Sequence, residues 1–420
     1  MFTLRRRRRA IVAVTVAALA TTAMAGCSSA PPESTGPVTL NVWLMKDSAP
    51  DALIASLNEE FEAANDNVTV QVQILDWDGR DVKWKTALAS DNPPDVLEMG
   101  NTDVLAYSAS GGLADLTDRE FENKATWLKG LTEAGSYNGK LYGVPYYGGD
   151  RVVIYRKDLW AAAGLGAEPT TLVQLKEAGA KLMANGGPEF SGLYFPGRYQ
   201  YAALSFVYDT GGTIATQSGD TWKASLSSPQ AQAGLTNWAD FIKAVSQAPA
   251  DVDETNLQDV LGQEKTAMII GQAWMVNQIK SKYPAIADQL AAFPMPGTQG
   301  TMPVFLGGSN LVVSAGSRNA DLAYEWVKTM TGTKYQTQLG QAGLMPNTTS
   351  LESAVTGITL IQLKAANRSW FTPTSTQWSN VDNAKILMDM LQAIASGDKS
   401  VADATAEADK KINDILNAAA

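Results

Sequence analysis

Three short segments of the sequence carry side chains suited to recognising a polar ligand. They are Met45-Lys46-Asp47, Asp76-Trp77-Asp78-Gly79 and Gly100-Asn101-Thr102. Together they supply carboxylates, an ammonium group, an amide and an indole ring. A sugar packs its C–H-rich face on an aromatic ring, and its hydroxyls pair with planar polar groups. The three segments therefore favour a neutral polyhydroxylated ligand, although each residue alone is also compatible with a turn or a helix cap.

The aromatic residues form a second group of candidates. The chain contains 11 Trp and 13 Tyr. Several fall in loop-like stretches: Trp77, Tyr146, Tyr147, Tyr199, Tyr201, Trp274, Trp370 and Trp378. Small or polar residues surround Trp274 and Trp378, so we expect both rings to be exposed platforms. The alternative for each is packing at the rim of a core, and Tyr146 and Trp370 are also compatible with a core position.

The residue types that the chain lacks exclude several kinds of chemistry. With no His and one Cys, the sequence has no Ser–His–Asp triad, Cys–His dyad, imidazole-bound metal or internal disulfide. A net charge of −10 disfavours nucleic acid as a partner. A calcium loop starting at Asp76 would need Glu where Ala87 stands. Hydrolysis by two carboxylates stays open, and we expect neither a metal nor another cofactor.

Residues 1–26 have the pattern of an export signal. Five Arg at positions 5–9 precede an apolar stretch, which is shorter than the roughly 18 to 20 residues that span a bilayer. Met24-Ala25-Gly26-Cys27 then resembles a bacterial lipobox, in which the Cys receives a diacylglycerol anchor. An ordinary signal-peptidase site is the alternative. We expect residues 27–37 to be a lipidated Cys with a flexible tether, which holds the protein on the extracellular face of the cell membrane.

Alternating strands and helices position the three polar segments. Hydrophobic patterns predict strands at 39–45, 68–75 and 95–99, and helices at 50–64 and 80–90. This order is typical of a parallel α/β sheet, in which ligands bind outside the carboxyl ends of the strands. We therefore expect the three segments to lie at one edge of a single sheet.

Residues 156–292 have the pattern of a second, more helical lobe. Predicted strands are 151–155, 268–271 and 311–313, and predicted helices are 172–184, 321–330, 382–395 and 400–417. Glycine- and proline-rich breaks at 148–149, 293–297 and 340–343 are candidate crossings between lobes. We predict that one lobe comprises 38–148 plus about 296–340, and the other 149–295 plus about 341–420.

Several motifs, taken in order, resemble the family 1 extracellular solute-binding proteins of ABC importers. Besides the lipobox they are NVWLM at 41–45, Trp77-Asp78-Gly79, Asn92-Pro93-Pro94-Asp95-Val96, YNGKLYGVP at 137–145, Ile154-Tyr155-Arg156-Lys157 and Phe293-Pro294-Met295-Pro296-Gly297. The likeness extends from about Leu40 to Leu416. Within the family, 71–74, 195–202 and 211–216 are similar to actinobacterial lipoproteins that bind N,N′-diacetylchitobiose.

The resemblance implies an α/β fold of two lobes, like the periplasmic binding proteins, with a ligand cleft between lobes that close on the ligand. It implies a non-catalytic, monomeric receptor that delivers a di- or oligosaccharide, with N,N′-diacetylchitobiose as the leading sugar, to ABC permease subunits. The alternatives are a receptor for cello-, xylo- or malto-oligosaccharides, a secreted hydrolase that uses two carboxylates, and a peptide or polyamine receptor.

The resemblance also transfers ligand-binding roles to residues of this chain. Trp274 and Trp378 match aromatic platforms of the family, whereas some members place an acidic ligand where Gly149 stands here. Arg151 is a candidate donor in the cleft, with an ordinary ion pair as its alternative. The complete predicted set is Lys46, Asp47, Asp76, Trp77, Asp78, Asn101, Tyr147, Arg151, Tyr199, Tyr201, Trp274, Ser309, Asn310 and Trp378. No catalytic residue is expected.

Overall fold

The computed structural model describes residues 36–418. The predicted export signal and the lipobox with Cys27 lie outside the described residues. The strands are β1 (Val38–Met45), β2 (Val68–Leu75), β3 (Val96–Gly100), β4 (Ser136–Tyr137), β5 (Lys140–Leu141), β6 (Gly143–Gly149), β7 (Val152–Arg156), β8 (Ala215–Ser218), β9 (Thr221–Ala224), β10 (Met268–Gly271), β11 (Leu290–Phe293), β12 (Val304–Phe305), β13 (Gly307–Val313), β14 (Met345–Pro346) and β15 (Ser369–Trp370).

The helices alternate with these strands in the first part of the chain and dominate the last part. They are α1 (Asp51–Ala64), α2 (Arg80–Leu88), α3 (Val104–Ala109), α4 (Lys129–Ala134), α5 (Lys157–Ala162), α6 (Leu172–Gly186), α7 (Gln200–Asp209), α8 (Pro229–Val245), α9 (Leu257–Gly262), α10 (Ala273–Lys282), α11 (Ala320–Met330), α12 (Thr333–Gln341), α13 (Gly357–Ala365), α14 (Trp378–Asn383), α15 (Ile386–Ser396) and α16 (Val401–Leu416). Short 3-10 helices lie at Lys124–Thr126, Pro284–Gln289, Thr349–Ala354 and Ala366–Arg368.

The first lobe is built on a six-stranded sheet in the order β14-β6-β13-β3-β1-β2. Strand β1 pairs in parallel with both β2 and β3, which confirms the predicted parallel unit. Strand β13 lies antiparallel between β3 and β6. Apolar side chains of β1 pack with Leu57 and Phe61 of α1 and Trp326 of α11 on one face of the sheet. On the other face, Leu97 and Met99 pack with Trp84 of α2.

The second lobe is built on an antiparallel sheet in the order β10-β7-β11. Its core contains Phe206 of α7, Trp238 of α8 and apolar residues of α14, α15 and α16. Strand β14 pairs with β6 in the sheet of the first lobe, whereas the prediction assigns the residues after about 341 to the second lobe. The assignment of residues to the two lobes at the predicted boundaries stays a prediction.

The C-terminal region corrects one predicted helix. The stretch 382–395 is divided between α14, which ends at Asn383, and α15, which begins at Ile386. Lys385 between them has φ +54°, in the left-handed region that a continuous right-handed helix excludes. The hydrophobic periodicity of residues 382–395 could not predict this break, because it does not depend on the backbone conformation of one residue.

Candidate ligand-binding cleft

The pairing of strands brings the predicted first-lobe residues to one edge of the sheet. Because β1, β2 and β3 run parallel, the segments that follow Met45, Leu75 and Gly100 lie at the same end. The antiparallel strands continue this row, since Gly100 pairs with Ser309, and Ser309 pairs with Tyr147. The prediction that the three polar segments share one edge is confirmed. Ser309 of β13, a predicted ligand residue, lies beside Gly100 on the far side of β3 from the other two segments.

The segments after β1 and β2 are mostly open to solvent. Lys46 Nζ lies 3.9 Å from Asp76 Oδ1, and both side chains are largely exposed, so this ion pair contributes little to stability. Asp47 and Asp78 are also exposed. The half-buried ring of Trp77 lies beside Gly100, where a Cβ would be 3.5 Å from the ring. A Cβ at Gly100 would therefore touch the indole at an ordinary contact distance, but it would lie only 3.0 Å from Asp103 Oδ2.

The two asparagines of the predicted set are buried and bonded to backbone. Asn101 Nδ2 donates to the carbonyl oxygen of Leu306 at 2.9 Å. Asn310 Nδ2 donates to the carbonyl oxygens of both Leu131 and Gly143. Because Asn310 uses both of its N–H groups on backbone acceptors and has no exposed surface, the structure contradicts the prediction that it faces a ligand. Asn310 instead binds β6 beside the bulge, in which Tyr146 is the extra residue of β6 opposite Ser309 and Asn310.

A buried hydrogen-bond chain lies behind the row of strand ends. Ser309 Oγ donates to Tyr147 Oη at 3.3 Å, and Tyr147 Oη donates to Glu98 Oε1 at 3.2 Å. Glu98 Oε2 accepts from the backbone N–H of Met45 at 2.8 Å. Burial raises the pKa of Glu98 to about 7, against the opposing effect of these donors. The sequence analysis missed Glu98, although a Glu inside an otherwise apolar buried strand was the available signal.

The second-lobe wall of the cleft is formed by an arginine among aromatic rings. The Arg151 guanidinium carbon lies 4.9 Å from the centroid of Tyr201 and 5.3 Å from that of Phe305, and these two rings stack at 4.5 Å. Arg151 Nε donates to Tyr199 Oη, which donates in turn to the carbonyl oxygen of Ile270. Tyr199 is therefore buried behind Arg151 and orients it. Within the part of the chain that the structure describes, no acceptor pairs with the buried Nη1 of Arg151.

Two carboxyl groups that the sequence analysis missed lie near this wall. Burial raises the pKa of Glu254 to about 7, and Arg151 opposes that shift. Burial also raises the pKa of Asp382, whose Oδ1 accepts from Gln200 Nε2 at 2.9 Å. No local pattern distinguishes either residue from the other acids of the chain, so only the fold could identify them.

An arginine of the first lobe faces this group. Arg80 Nη2 lies 3.2 Å from Asp103 Oδ2, and the guanidinium carbon is 5.7 Å from the Trp77 ring centroid. Burial lowers the pKa of Arg80, but Asp103, Tyr201, Asp81 and Asp382 together raise it above its usual value. Residues of both lobes therefore contribute to the electrostatic environment of Arg80.

The two predicted platforms differ in their surroundings. Trp274 is half-buried, and its Nε1 donates to Gln272 Oε1 at 2.8 Å. Gln272 Nε2 donates in turn to the carbonyl oxygen of Gly149, where the chain leaves the first sheet. Trp378 is only 2% exposed and belongs to the second-lobe core, so the prediction that it is an exposed platform is wrong. Its polar neighbours form the turn before α14, in which Ser375 Oγ accepts from Gln377 N.

Tyr146 and Trp370 are buried in the core, as the alternative interpretation of these two residues predicted.

Among residues 36–418, no three His, Cys, Asp or Glu side chains are arranged to hold a metal ion. In the same range, every helix is too short or too polar to cross a membrane. The side chains of the cleft offer hydrogen bonding by amides, carboxylates and guanidinium groups, together with aromatic faces for apolar contact.

This fold defines a class of protein: a two-lobed α/β receptor. The chain belongs to the bacterial extracellular solute-binding proteins, because the model of that family matches residues 46–337. Diacetylchitobiose binding protein DasA of Streptomyces coelicolor is 36% identical over 390 residues, which are 90% of each chain. The predicted resemblance to this family and to its diacetylchitobiose-binding members is confirmed.

Solved structures share the fold at lower identity. An ABC transporter solute-binding protein from Thermotoga lettingae, bound with alpha-D-tagatose, has a TM-score of 0.79 and 22% identity, over 90% of this chain and 100% of that one. The GacH receptor of Streptomyces glaucescens, solved unliganded and with acarbose, has a TM-score of 0.77 and 24% identity, over 92% of this chain and 100% of that one. The predicted two-lobe α/β fold is thereby confirmed.

Proposed function

We propose that this chain is the extracytoplasmic binding lipoprotein of an ABC importer for a neutral di- or oligosaccharide, with N,N′-diacetylchitobiose as the leading ligand. The observation that carries the proposal is the 36% identity to a diacetylchitobiose-binding protein along 90% of both chains. The sugar binds between the lobes, and the closed protein delivers it unchanged to the permease subunits. In this proposal the protein is a monomer, uses no cofactor and is anchored through lipid on Cys27.

The composition of the cleft supports a neutral sugar as the ligand. Trp77, Tyr201 and Trp274 offer aromatic faces, and Asp76, Asp78 and Arg151 offer hydrogen-bonding groups. An acetamido group adds a carbonyl acceptor and an N–H donor to each sugar ring. The unpaired Nη1 of Arg151 is a suitable donor for such a carbonyl, because a buried N–H without an acceptor costs free energy.

A thermal-shift screen of disaccharides on the mature protein tests this proposal. A ligand at 100 times its Kd stabilises the folded protein by about 2.7 kcal/mol. We expect N,N′-diacetylchitobiose to raise the Tm most, ahead of cellobiose, xylobiose and maltose. Cellobiose is the matched comparison because it has the same linkage and differs only in carrying a hydroxyl in place of each acetamido group. No shift with any of these sugars, or release of monosaccharide during the assay, would contradict the proposal.

A further inference from the structure

Glu98 is an unusual residue for the centre of a sheet. It lies in β3 between Leu97 and Met99, pairs opposite Leu311 of β13 and has no exposed surface. A carboxylate in such a position is rare unless donors or a cation compensate it. The backbone N–H of Met45 and the hydroxyl of Tyr147 donate to Glu98 at 2.8 and 3.2 Å.

These contacts connect three strands that carry predicted ligand residues. Through Oε2, Glu98 binds the end of β1, directly before Lys46 and Asp47. Through Oε1 it holds the hydroxyl of Tyr147 on β6, which also accepts from Ser309 on β13. Glu98 itself is enclosed by the sheet, so it meets these residues rather than the ligand.

We propose that Glu98 is a positioning residue for the first-lobe wall of the cleft: it fixes the orientation of Tyr147 and of the segment after β1. The inference rests on the proposed function, since sugar affinity is the property that Glu98 controls. An ionised carboxylate accepts at both oxygens, whereas an amide offers one oxygen and one NH2 group. Glu98→Gln therefore preserves the shape but places a second donor against either Met45 N–H or the Tyr147 hydroxyl.

Asp95 supplies a matched control in the residue before the same strand. It is also buried, and its Oδ2 accepts from the backbone N–H of Asn41 on β1 at 2.8 Å. Its other partners are Ser317 and Asn319, in the segment after β13. Asp95 is thus a buried carboxylate that backbone and side-chain donors compensate, as they do for Glu98. It lies at the amino end of β3, away from the cleft. Asp95→Asn therefore measures the effect on stability and affinity of changing a buried carboxylate to an amide where only the sheet is disturbed.

The experiment is made at a pH above 8, where the Glu98 carboxylate is ionised because its pKa is raised to about 7. It measures the Kd for N,N′-diacetylchitobiose and the Tm without sugar for wild type, Glu98→Gln and Asp95→Asn. Losing charged hydrogen bonds of this kind should weaken binding on the order of tenfold for Glu98→Gln. For Asp95→Asn we expect a lower Tm with a Kd within about twofold of wild type. If Glu98→Gln binds the sugar as tightly as wild type, the positioning role is refuted. If wild type binds none of the screened sugars, the proposed function fails instead.

A double-mutant cycle with Tyr147→Phe separates positioning from general weakening of the fold. If Glu98 acts through the Tyr147 hydroxyl, Tyr147→Phe should add little to the loss of affinity already caused by Glu98→Gln. Fully additive losses would contradict the proposed action through Tyr147. Should Glu98→Gln fail to fold, the cycle is made with Glu98→Asp, which keeps the charge and shortens the reach.

Discussion

Asn383 of α14 donates a hydrogen bond from Nδ2 to Oδ2 of Asp81 in α2, and this contact joins the two lobes. Asp81 lies next to Arg80, and Asn383 lies next to Asp382. The contact therefore sits beside the charged group formed by Arg80, Asp103 and Asp382. It brings the lobes together through the chain's own side chains and should favour a closed arrangement before a ligand binds.

Removing this contact should shift the protein towards an open state. For Asn383→Ala we expect a larger radius of gyration without sugar and an affinity about two- to tenfold weaker, because a solvent-exposed hydrogen bond contributes little. Small-angle scattering and calorimetry measure the two effects. The matched control is Asn380→Ala, because the Asn380 side chain donates to Gln377, three residues earlier in the chain, and not to the other lobe. Equal scattering curves for Asn383→Ala and wild type would refute the closing role.

The two tryptophans should respond differently to truncation. At about 25 cal/mol per Å2 of buried apolar area, loss of the Trp274 ring should cost a few kcal/mol of binding, or roughly a hundredfold in Kd. Trp378→Ala should instead destabilise the free protein by about 3 to 5 kcal/mol, because the ring is in the core. Calorimetry and thermal unfolding of both variants check this. Near-normal affinity in a destabilised Trp274→Ala protein would remove Trp274 from the site.

Arg151 offers a test of the second-lobe wall. Arg151→Lys keeps the positive charge but loses the planar group that contacts Tyr199, Tyr201 and Phe305. We expect at least tenfold weaker binding of N,N′-diacetylchitobiose, since a charged hydrogen bond contributes about 1.5 to 3 kcal/mol. The loss should be smaller for cellobiose, which has no acetamido carbonyl. An equal loss for both sugars would show that Arg151 does not read the acetamido group.

Glu254 makes the stability of the protein depend on pH. Its pKa is raised to about 7 by burial, above the ordinary value of 4.5, so the folded protein holds this proton more tightly than the unfolded chain. The contribution is therefore favourable at low pH and is lost as the pH rises from about 4.5 through 7. Glu254→Gln should reduce the fall of unfolding free energy over this window, measured by denaturant titration. An unchanged slope would indicate that Glu254 titrates normally.

Lipidation is tested by a single substitution. Cys27→Ala should release the exported protein into the medium, because the thioether to diacylglycerol can no longer form. Detection of the protein in membrane and medium fractions gives the result. A Cys27→Ala protein that stays with the membrane would mean that another feature anchors it.

Local patterns predicted the elements of the fold better than the composition of the cleft. The predicted strand 68–75 matches β2, and 39–45 lies within β1, because alternation and continuous apolar runs follow directly from burial. Neither pattern reports pairing between distant segments, such as β13 with both β3 and β6. That pairing buries both Ser309 and Asn310. Ser309 donates to Tyr147, whereas Asn310 donates to the backbone, and the sequence alone did not distinguish these two roles.

The environment of single residues was the least predictable feature. The polar sequence before Trp378 indicated exposure but forms a turn at the start of a helix, and the ring points into the core. Glu98 becomes notable only because the folded chain buries it, and Glu254 and Asp382 because the fold half-buries them. Their pKa shifts depend on the neighbours that the fold supplies rather than on adjacent residues.

Isothermal titration of the mature wild-type protein with N,N′-diacetylchitobiose, followed by recovery of the sugar, tests the central claim most directly. We predict saturable one-to-one binding, a clearly weaker response to cellobiose, and a disaccharide that is recovered intact. Absence of binding, equal affinity for both sugars, or conversion of the disaccharide to monosaccharides would contradict a chitobiose receptor.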